Sequence, residues 1–379
     1  MDIVDVIIPV HKGLAATRRC LDSVLASAST TQCETVVVDD ATPEAEIARL
    51  LDGLAAGKRI TLLRNDVNQG FVRSVNRGMA LHADRDVVLL NSDTEVAGDW
   101  VDRLRGPARA EADIGTATPF SNNATICSYP FAGWTGGLPG TLGLAALDRL
   151  FAATNAGKTV DLPTGVGSCL YIRRACLDQV GSFDAERFGR GYGEENDFCL
   201  RALASGWRSV LAGDVFVFHE GAVSFAGERA QRTKAALATL LDIHPDYMKR
   251  VRAFVAADPI GPLRDAIDAA RLDRGRVEAA SVLAERIDEC SRLKARLGEV
   301  DDLAEERAVA IAELRAALAS AEAIVAEREP ELERLRTEIG LLRGGLSHAE
   351  KLAFERQHEL DRIHASTLWK LIEPWVRKN

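Results

Sequence analysis

The chain has 379 residues, enough for two or three domains of ordinary size, and 47% of them are hydrophobic, which excludes a disordered chain. Its formal charge is −9 and its basic residues form no cluster that would track a phosphate backbone, so nucleic acid and an anionic membrane surface are poor partners. Seven scattered Cys without a C-x-x-C pair argue against a disulfide framework or a structural zinc site, and with no basic-then-apolar leader and no run of 18 apolar residues, a cytoplasmic protein without a spanning helix is expected.

In chain order, residues 4–10 are an apolar, β-branched run that reads as a strand and contains Pro9 and Val10; residues 14–28 have helical spacing. A second strand at 35–38 runs directly into Asp39 and Asp40, where a carboxylate serves as often as a turn or helix cap as it does a ligand. After a third strand at 60–63, Asn68, Gln69 and Gly70 open a helix at 71–83, whose first amides, with Arg73, suit phosphate oxygens or simply form a capped helix. The strand at 87–90 delivers Asn91, Ser92, Asp93, Thr94 and Glu95 to its carboxyl end. A Mg²⁺ or Mn²⁺ ion on a diphosphate needs only one or two protein carboxylates, so this is the sharpest of the acidic sites. Strands alternating with helices predict parallel pairing, with the ligand at the strands' carboxyl ends.

Further on, a glycine-rich approach leads to Glu194, Glu195 and Asp197 at a helix start, where the helix dipole alone already favours acids. An apolar strand at 215–218 ends in His219, either a metal ligand or a hydrogen-bonded edge residue. No G-x-G-x-x-G follows the first strand, which makes a dinucleotide enzyme a poor reading.

The composition changes near residue 255: 24 of the 30 Gly lie before it, whereas 45 of the last 124 residues are charged. Stepping by seven from Leu283 to Leu360 gives twelve a positions, all small or apolar, and eight of the twelve d positions are apolar, four being Arg. That repeat predicts a coiled coil over 283–363, with a kink at Pro330 and a break at Gly344 and Gly345. Residues 364–379, with Trp369 and Trp375, read as an amphipathic tip suited to a partner or a membrane interface.

Taken in order, Ile7-Ile8-Pro9-Val10, Val37-Val38-Asp39-Asp40, the Asn68 to Gly78 segment, Leu90-Asn91-Ser92-Asp93-Thr94-Glu95, Gly165-Val166-Gly167-Ser168 as a strand, Gly193-Glu194-Glu195-Asn196-Asp197 and Val217-Phe218-His219 resemble the bacterial family 2 glycosyltransferases, over about residues 3–255. The nearest branch is rhamnosyltransferase-like. The resemblance implies an α/β domain of the glycosyltransferase A type, mainly parallel with flanking helices, at 1–255, followed by a helical linker at 256–282 and the coiled coil. It implies a nucleoside-diphosphate sugar, rhamnose being the candidate sugar, as donor and a hydroxyl of a growing surface glycan, free or lipid-linked, as acceptor. Pro9, Val10, Asp39 and Asp40 would hold the base and ribose, and Asn68, Gly70, Arg73 and Ser92 would flank the nucleotide or its diphosphate. Asp93 would ligate Mn²⁺ or Mg²⁺; because Asn91 replaces the family's first acid there, His219 becomes its partner ligand. Glu195 falls at the catalytic base, one methylene longer than the family's Asp, with Asp197 its rival. The implied setting is the cytoplasm, at the inner face of the membrane, in a homo-oligomer or with a coiled-coil partner. The Asn91 and Glu195 departures sustain one alternative, a non-catalytic scaffold that acts through its coiled coil.

Overall fold

The computed structural model describes residues 3–189, 191–221 and 226–365; the C-terminal tip with Trp369 and Trp375 lies outside them. In chain order come β1 (Val4–Val10), α1 (Leu14–Leu25), β2 (Cys33–Asp39), α2 (Ala45–Ala56), β3 (Thr61–Arg64), α3 (Phe71–Met79), β4 (Asp86–Leu90), β5 (Thr94–Glu95) and α4 (Trp100–Ala110). They are followed by β6 (Ile114–Ser121), α5 (Leu144–Thr154), β7 (Thr159–Leu162), β8 (Cys169–Ile172), α6 (Arg174–Val180), α7 (Ala185–Phe188), α8 (Glu194–Ala204) and β9 (Arg208–His219). The remaining helices are α9 (Ala226–Ile243), α10 (Tyr247–Ala257), α11 (Gly261–Leu272) and α12 (Arg276–Ala365).

The strands form one mixed sheet in the order β3-β2-β1-β4-β8-β6-β9-β5, with β7 on β9. The first four are parallel as expected; β8 then enters antiparallel to both β4 and β6, while β6 and β9 pair in parallel. β1 is pinned between its neighbours, with Ile7 opposite Val36 and Leu89. Val4, Val6, Ile8 and Val10 face one core and Ile7 the other, so the strand is apolar at nearly every position, as a strand covered on both faces must be. Each such Val or Ile contributes about 1.5–3 kcal/mol.

The flanking helices are shorter than their patterns suggested. α1 buries the stripe Ala16, Thr17, Cys20, Leu21 and Val24 and stops at Leu25, because the Ala28 N–H is donated to the Gly98 carbonyl instead of to the helix. α3 stops at Met79, with the Leu81 N–H turned back to the Gly78 carbonyl. A Cβ on Gly78 would stand 2.5 Å from Ile7 Cγ2, so only glycine lets α3 lie this close to β1. The expected strand at 165–168 is irregular backbone, and the strand begins at Cys169. The Gly165 N–H bonds Cys199 Sγ and the Val166 N–H bonds Thr118 Oγ1, so these amides meet side chains and not a neighbouring strand.

The largest departure concerns 256–282. This segment is core, not linker: Ile260, Leu263 and Ile267 join Phe120, Phe151 and Phe216 in a third apolar cluster. Arg271 is fully buried and donates to Glu278 (2.5 Å), Glu285 (2.6 Å) and the Tyr129 hydroxyl (2.9 Å). A buried cation persists only when it is fully paired. The two glutamates in turn accept from Gly140 N–H and from the N–H and hydroxyl of Thr141. The first compact unit therefore runs through Ser291, and a second begins at Arg292.

In that second unit α12 continues unbroken through Pro330, Gly344 and Gly345. Its heptad residues face solvent, Leu297, Leu318 and Leu346 being 59–62% exposed, so the stripe has no partner surface within the described helix. The boundary yields a prediction. Truncation after Ser291 should leave a cooperatively melting protein, whereas truncation after residue 260, which removes Leu263, Ile267 and Arg271, should give insoluble or non-cooperatively melting material; circular dichroism on heating distinguishes the two.

Candidate active site

The parallel half of the sheet brings the carboxyl ends of β1, β2 and β4 to one edge, and with them Pro9, Val10, Asp39, Asp40 and the segment from Asn91 to Asp93. Both carboxylates after β2 are committed to shaping this edge. Asp39 accepts from the Thr42 N–H and from Arg64 Nε at 3.0 Å. Asp40, 4% exposed, accepts from the N–H groups of Gln69 (2.7 Å) and Gly70 (2.9 Å) and from Asn65 Nδ2 (2.8 Å), so it anchors the turn that opens α3. His11, which the sequence reading did not single out, donates from Nδ1 to the Asp40 carbonyl, and its Nε2 accepts from Asn68 Nδ2 at 3.0 Å. Arg73, half exposed, is paired with Glu186 at 2.8 Å.

A tight turn after β4 presents the acidic segment. The Thr94 N–H closes onto the Asn91 carbonyl and the Asn91 N–H bonds the Ser168 carbonyl, which leaves Ser92 and Asp93 at the apex. β5 pairs antiparallel with the end of β9, Thr94 opposite His219. This register sets Asp93 Oδ1 3.3 Å from His219 Nε2, while Asp93 Oδ2 accepts from the Gly221 N–H. Burial opposes the charged form of Asp93, yet the hydrogen bond and charge of His219, with the Gly221 N–H, hold its carboxyl below the usual range. His219 Nδ1 lies 3.0 Å from the Asn123 carbonyl, which only accepts, so Nδ1 carries the hydrogen. Asn91 Oδ1 is buried and finds no partner among the described residues.

α8 supplies the second acidic group. Gly193 caps it in the left-handed region (φ 91°), and Glu194 and Glu195 occupy the first turn. Burial pushes the carboxyl of Glu195 up, against the opposing influence of the N–H groups of Glu195, Gly193, Asn196 and Gly167. Glu194, 4% exposed, is pushed well up by burial and then by the charge of Glu195. Oε2 of each is buried without a partner among the described residues. Gly167 lies against Glu195, where a Cβ would be 3.4 Å from its carboxyl carbon, and the adjoining Ser168 carbonyl holds Asn91. Two residues of backbone thus join the Glu195 carboxyl to the Asn91–Asp93 turn. Asp197 is engaged elsewhere: it is 3% exposed, accepts from Arg201 at 2.8 Å and pairs with His244 at 2.9 Å, tying α8 to the end of α9.

Asp93 Oδ1 and His219 Nε2 have about the spacing of two adjacent ligands held ~2.1 Å from one divalent ion. The orphaned Asn91 oxygen nearby suits either that ion or its bound ligand, so the residues fit a metal. A different trio, Asp5, Glu34 and His82, also brings its ligand atoms within 4.8 Å of one another, but at the amino ends of β1 and β2. There Arg85 bonds both Asp5 (2.9 Å) and Glu34 (2.5 Å), which makes the group an ion-pair network.

A protein of Sinorhizobium fredii, y4gI, is 24% identical over 258 residues, 65% of this chain and 27% of its own length, so the chain spans only about a quarter of that relative. An N-acetylglucosaminyl-diphospho-decaprenol L-rhamnosyltransferase of Mycobacterium tuberculosis is 26% identical over 238 residues, covering 55% of this chain and 74% of the enzyme. Among solved structures, a mannosyltransferase of Pyrobaculum calidifontis in complex with GDP-Man and Mn²⁺ aligns with a TM-score of 0.46 at 17% identity, over 75% of this chain and 79% of that one. Residues 5–181, which carry β1, the Asp39–Asp40 edge, the Asn91–Asp93 turn and Gly167, match the model of glycosyl transferase family 2.

Proposed function

We propose that the chain is an inverting glycosyltransferase that moves a sugar from a nucleoside-diphosphate sugar to an acceptor hydroxyl, with Mn²⁺ or Mg²⁺ held by Asp93 and His219. The observation that carries this reading is the meeting of two acidic groups at one sheet edge: the Asp93–His219 pair beside the orphaned Asn91 oxygen, and the unpartnered Glu195 oxygen two residues of backbone away. When bound, the ion neutralises charge that builds on the departing diphosphate. Glu195 accepts the proton of the acceptor hydroxyl as that oxygen bonds to the anomeric carbon and the bond from this carbon to the diphosphate oxygen breaks. A partly buried carboxyl with a raised pKa is a better proton acceptor than an exposed one, and general-base help is worth about 10²–10⁴-fold. Pro9, Val10, His11 and Asn68 form the wall on the nucleotide side, and Asp39 and Asp40 act by holding its shape. Arg73 reaches a diphosphate by exchanging Glu186 for phosphate oxygens.

Rhamnose is the sugar favoured by the rhamnosyltransferase among the relatives, and a growing surface glycan, free or lipid-linked, is the acceptor. No described helix is long and apolar enough to cross a membrane, so contact with a membrane-borne acceptor, on the cytoplasmic face, falls to the exposed α12 or the tip beyond it. The heptad stripe from 293 to 360 is proposed to bury itself against a second copy of the chain.

Glu195→Gln should keep donor affinity near wild type and lower turnover by at least about 10²-fold; full turnover in this variant, with an inactive but folded Asp197→Asn, would move the base to Asp197. Because the folded pKa of Glu195 is raised, rate should fall as pH drops through that value, above the ordinary glutamate range, and the fold itself should lose stability as pH rises through it, so Glu195→Gln should melt higher than wild type at neutral pH. Asp93→Ala should abolish Mn²⁺-dependent binding of a nucleoside diphosphate in a calorimetric titration, and His219→Ala should shift Mn²⁺ activation to higher concentration. Light scattering should give an oligomer for the full chain and a monomer for residues 1–291; a scaffold that merely carries the coiled coil would share this last result but bind no diphosphate.

A further inference from the structure

The loop that follows β6 closes on the end of β9 through two consecutive asparagines. Asn122 is fully buried, and its side chain brackets the main chain of His219: Oδ1 accepts from the His219 N–H at 2.7 Å and Nδ2 donates to the His219 carbonyl at 3.0 Å. The same Nδ2 also donates to the Gly136 carbonyl. The next residue, Asn123, receives the ring hydrogen of His219 Nδ1 on its carbonyl at 3.0 Å. Its side-chain amide packs on Gly221, where a Cβ would fall 1.9 Å from Nδ2, and the Gly221 N–H is the donor to Asp93. The asparagine pair therefore contacts the His219 main chain, its ring Nδ1 and the Gly221 that donates to Asp93.

The pair is itself anchored. The Ala124 N–H bonds Ser128 Oγ, the Tyr129 N–H bonds the Ser121 carbonyl, and Arg264 of α11 donates to the carbonyls of Ser128 and Ile126. A main chain fixed at both ends of His219 leaves its ring little freedom, and a carbonyl on Nδ1 keeps a hydrogen on that nitrogen, so Nε2, which faces Asp93, is the one freed for an ion once its own proton leaves.

We infer that Asn122 and Asn123 are positioning residues for His219, the first splinting its backbone and the second fixing its ring and tautomer, so that Nε2 is presented to the ion shared with Asp93. This rests on the metal-dependent reading above. Outer partners of a ligating histidine are typically worth 10–100-fold in metal affinity, and the effect here should lie in that range.

The test uses the full-length protein, Asn122→Ala and Asn122→Ser, the second because it keeps a small polar group at the buried position yet is too short to bracket both the N–H and the carbonyl of His219. Mn²⁺ alone is titrated in by following the electron paramagnetic resonance of the free ion, and the tautomer of His219 is read from its ring ¹⁵N signals, assigned by their loss in His219→Ala. The expected result is Mn²⁺ binding about 10–100-fold weaker in both variants, with Nδ1–H in the wild type giving way to a mixture, read at a pH where the metal-free ring is neutral. Wild-type Mn²⁺ affinity and an unchanged tautomer in a variant that only melts lower would overturn the inference. If the wild type binds no Mn²⁺, the metal reading fails, and the tautomer signal still decides whether the asparagines position the ring. If Asn122→Ala does not fold, Asn122→Ser carries both measurements.

Discussion

The site depends on the parallel register that holds β1 between β2 and β4. With Ile7 opposite Val36 and Leu89, the three strands end at one level, so residues far apart in sequence leave the sheet side by side. A slip of one residue would turn Ile7 and Ile8 to the wrong cores and carry the Asp39–Asp40 and Asn91–Asp93 edges out of line. The glycine at 78 belongs to this constraint, since it lets α3 close on Ile7 and thereby places the turn anchored by Asp40 at the same edge.

The other half of the site comes from elements that run against this order. β5 is only two residues long, yet its antiparallel pairing with β9 is what sets His219 beside Asp93. The irregular backbone at 165–168 serves two neighbours at once, with Gly167 against Glu195 and the Ser168 carbonyl on Asn91. Behind them stands the buried Arg271 cluster. It fastens α11 and the start of α12 to Tyr129, Gly140 and Thr141, in the same loop region that carries Asn122 and Asn123. A segment that by composition read as linker is thereby structural to the first unit.

What the sequence made legible was what one-dimensional pattern encodes. The strands at 4–10, 35–38 and 87–90 were visible because burial on both faces forces continuous apolar runs, β9 with its terminal His219 for the same reason, and the half-buried edge strand at 60–63 by its short apolar run. The α12 heptads were legible because a period of seven survives without knowledge of the partner. The rest turns on pairings that pattern does not carry. Arg264, Asp268 and Arg271 look like a solvated helix face until Asp258 meets the first, Arg286 the second and the Glu278–Glu285 pair the third, so α11 read as linker. Asp40 sits where a nucleotide contact was expected and Asp197 was the rival to Glu195 as base, but backbone amides occupy the first and Arg201 with His244 the second. Asn122 and Asn123 show no periodicity at all, and only the long-range closure onto His219 reveals them.

The central claim is that this edge carries sugar transfer. The most direct measurement is to incubate the full-length chain with Mn²⁺ and a panel of nucleotide sugars, without acceptor, and to quantify the nucleoside diphosphate released by slow transfer to water. The account predicts release from one donor class, dependent on Mn²⁺ and lost in Asp93→Ala, with the freed sugar of inverted anomeric configuration. No release from any donor, or release that Asp93→Ala leaves unchanged, would contradict it.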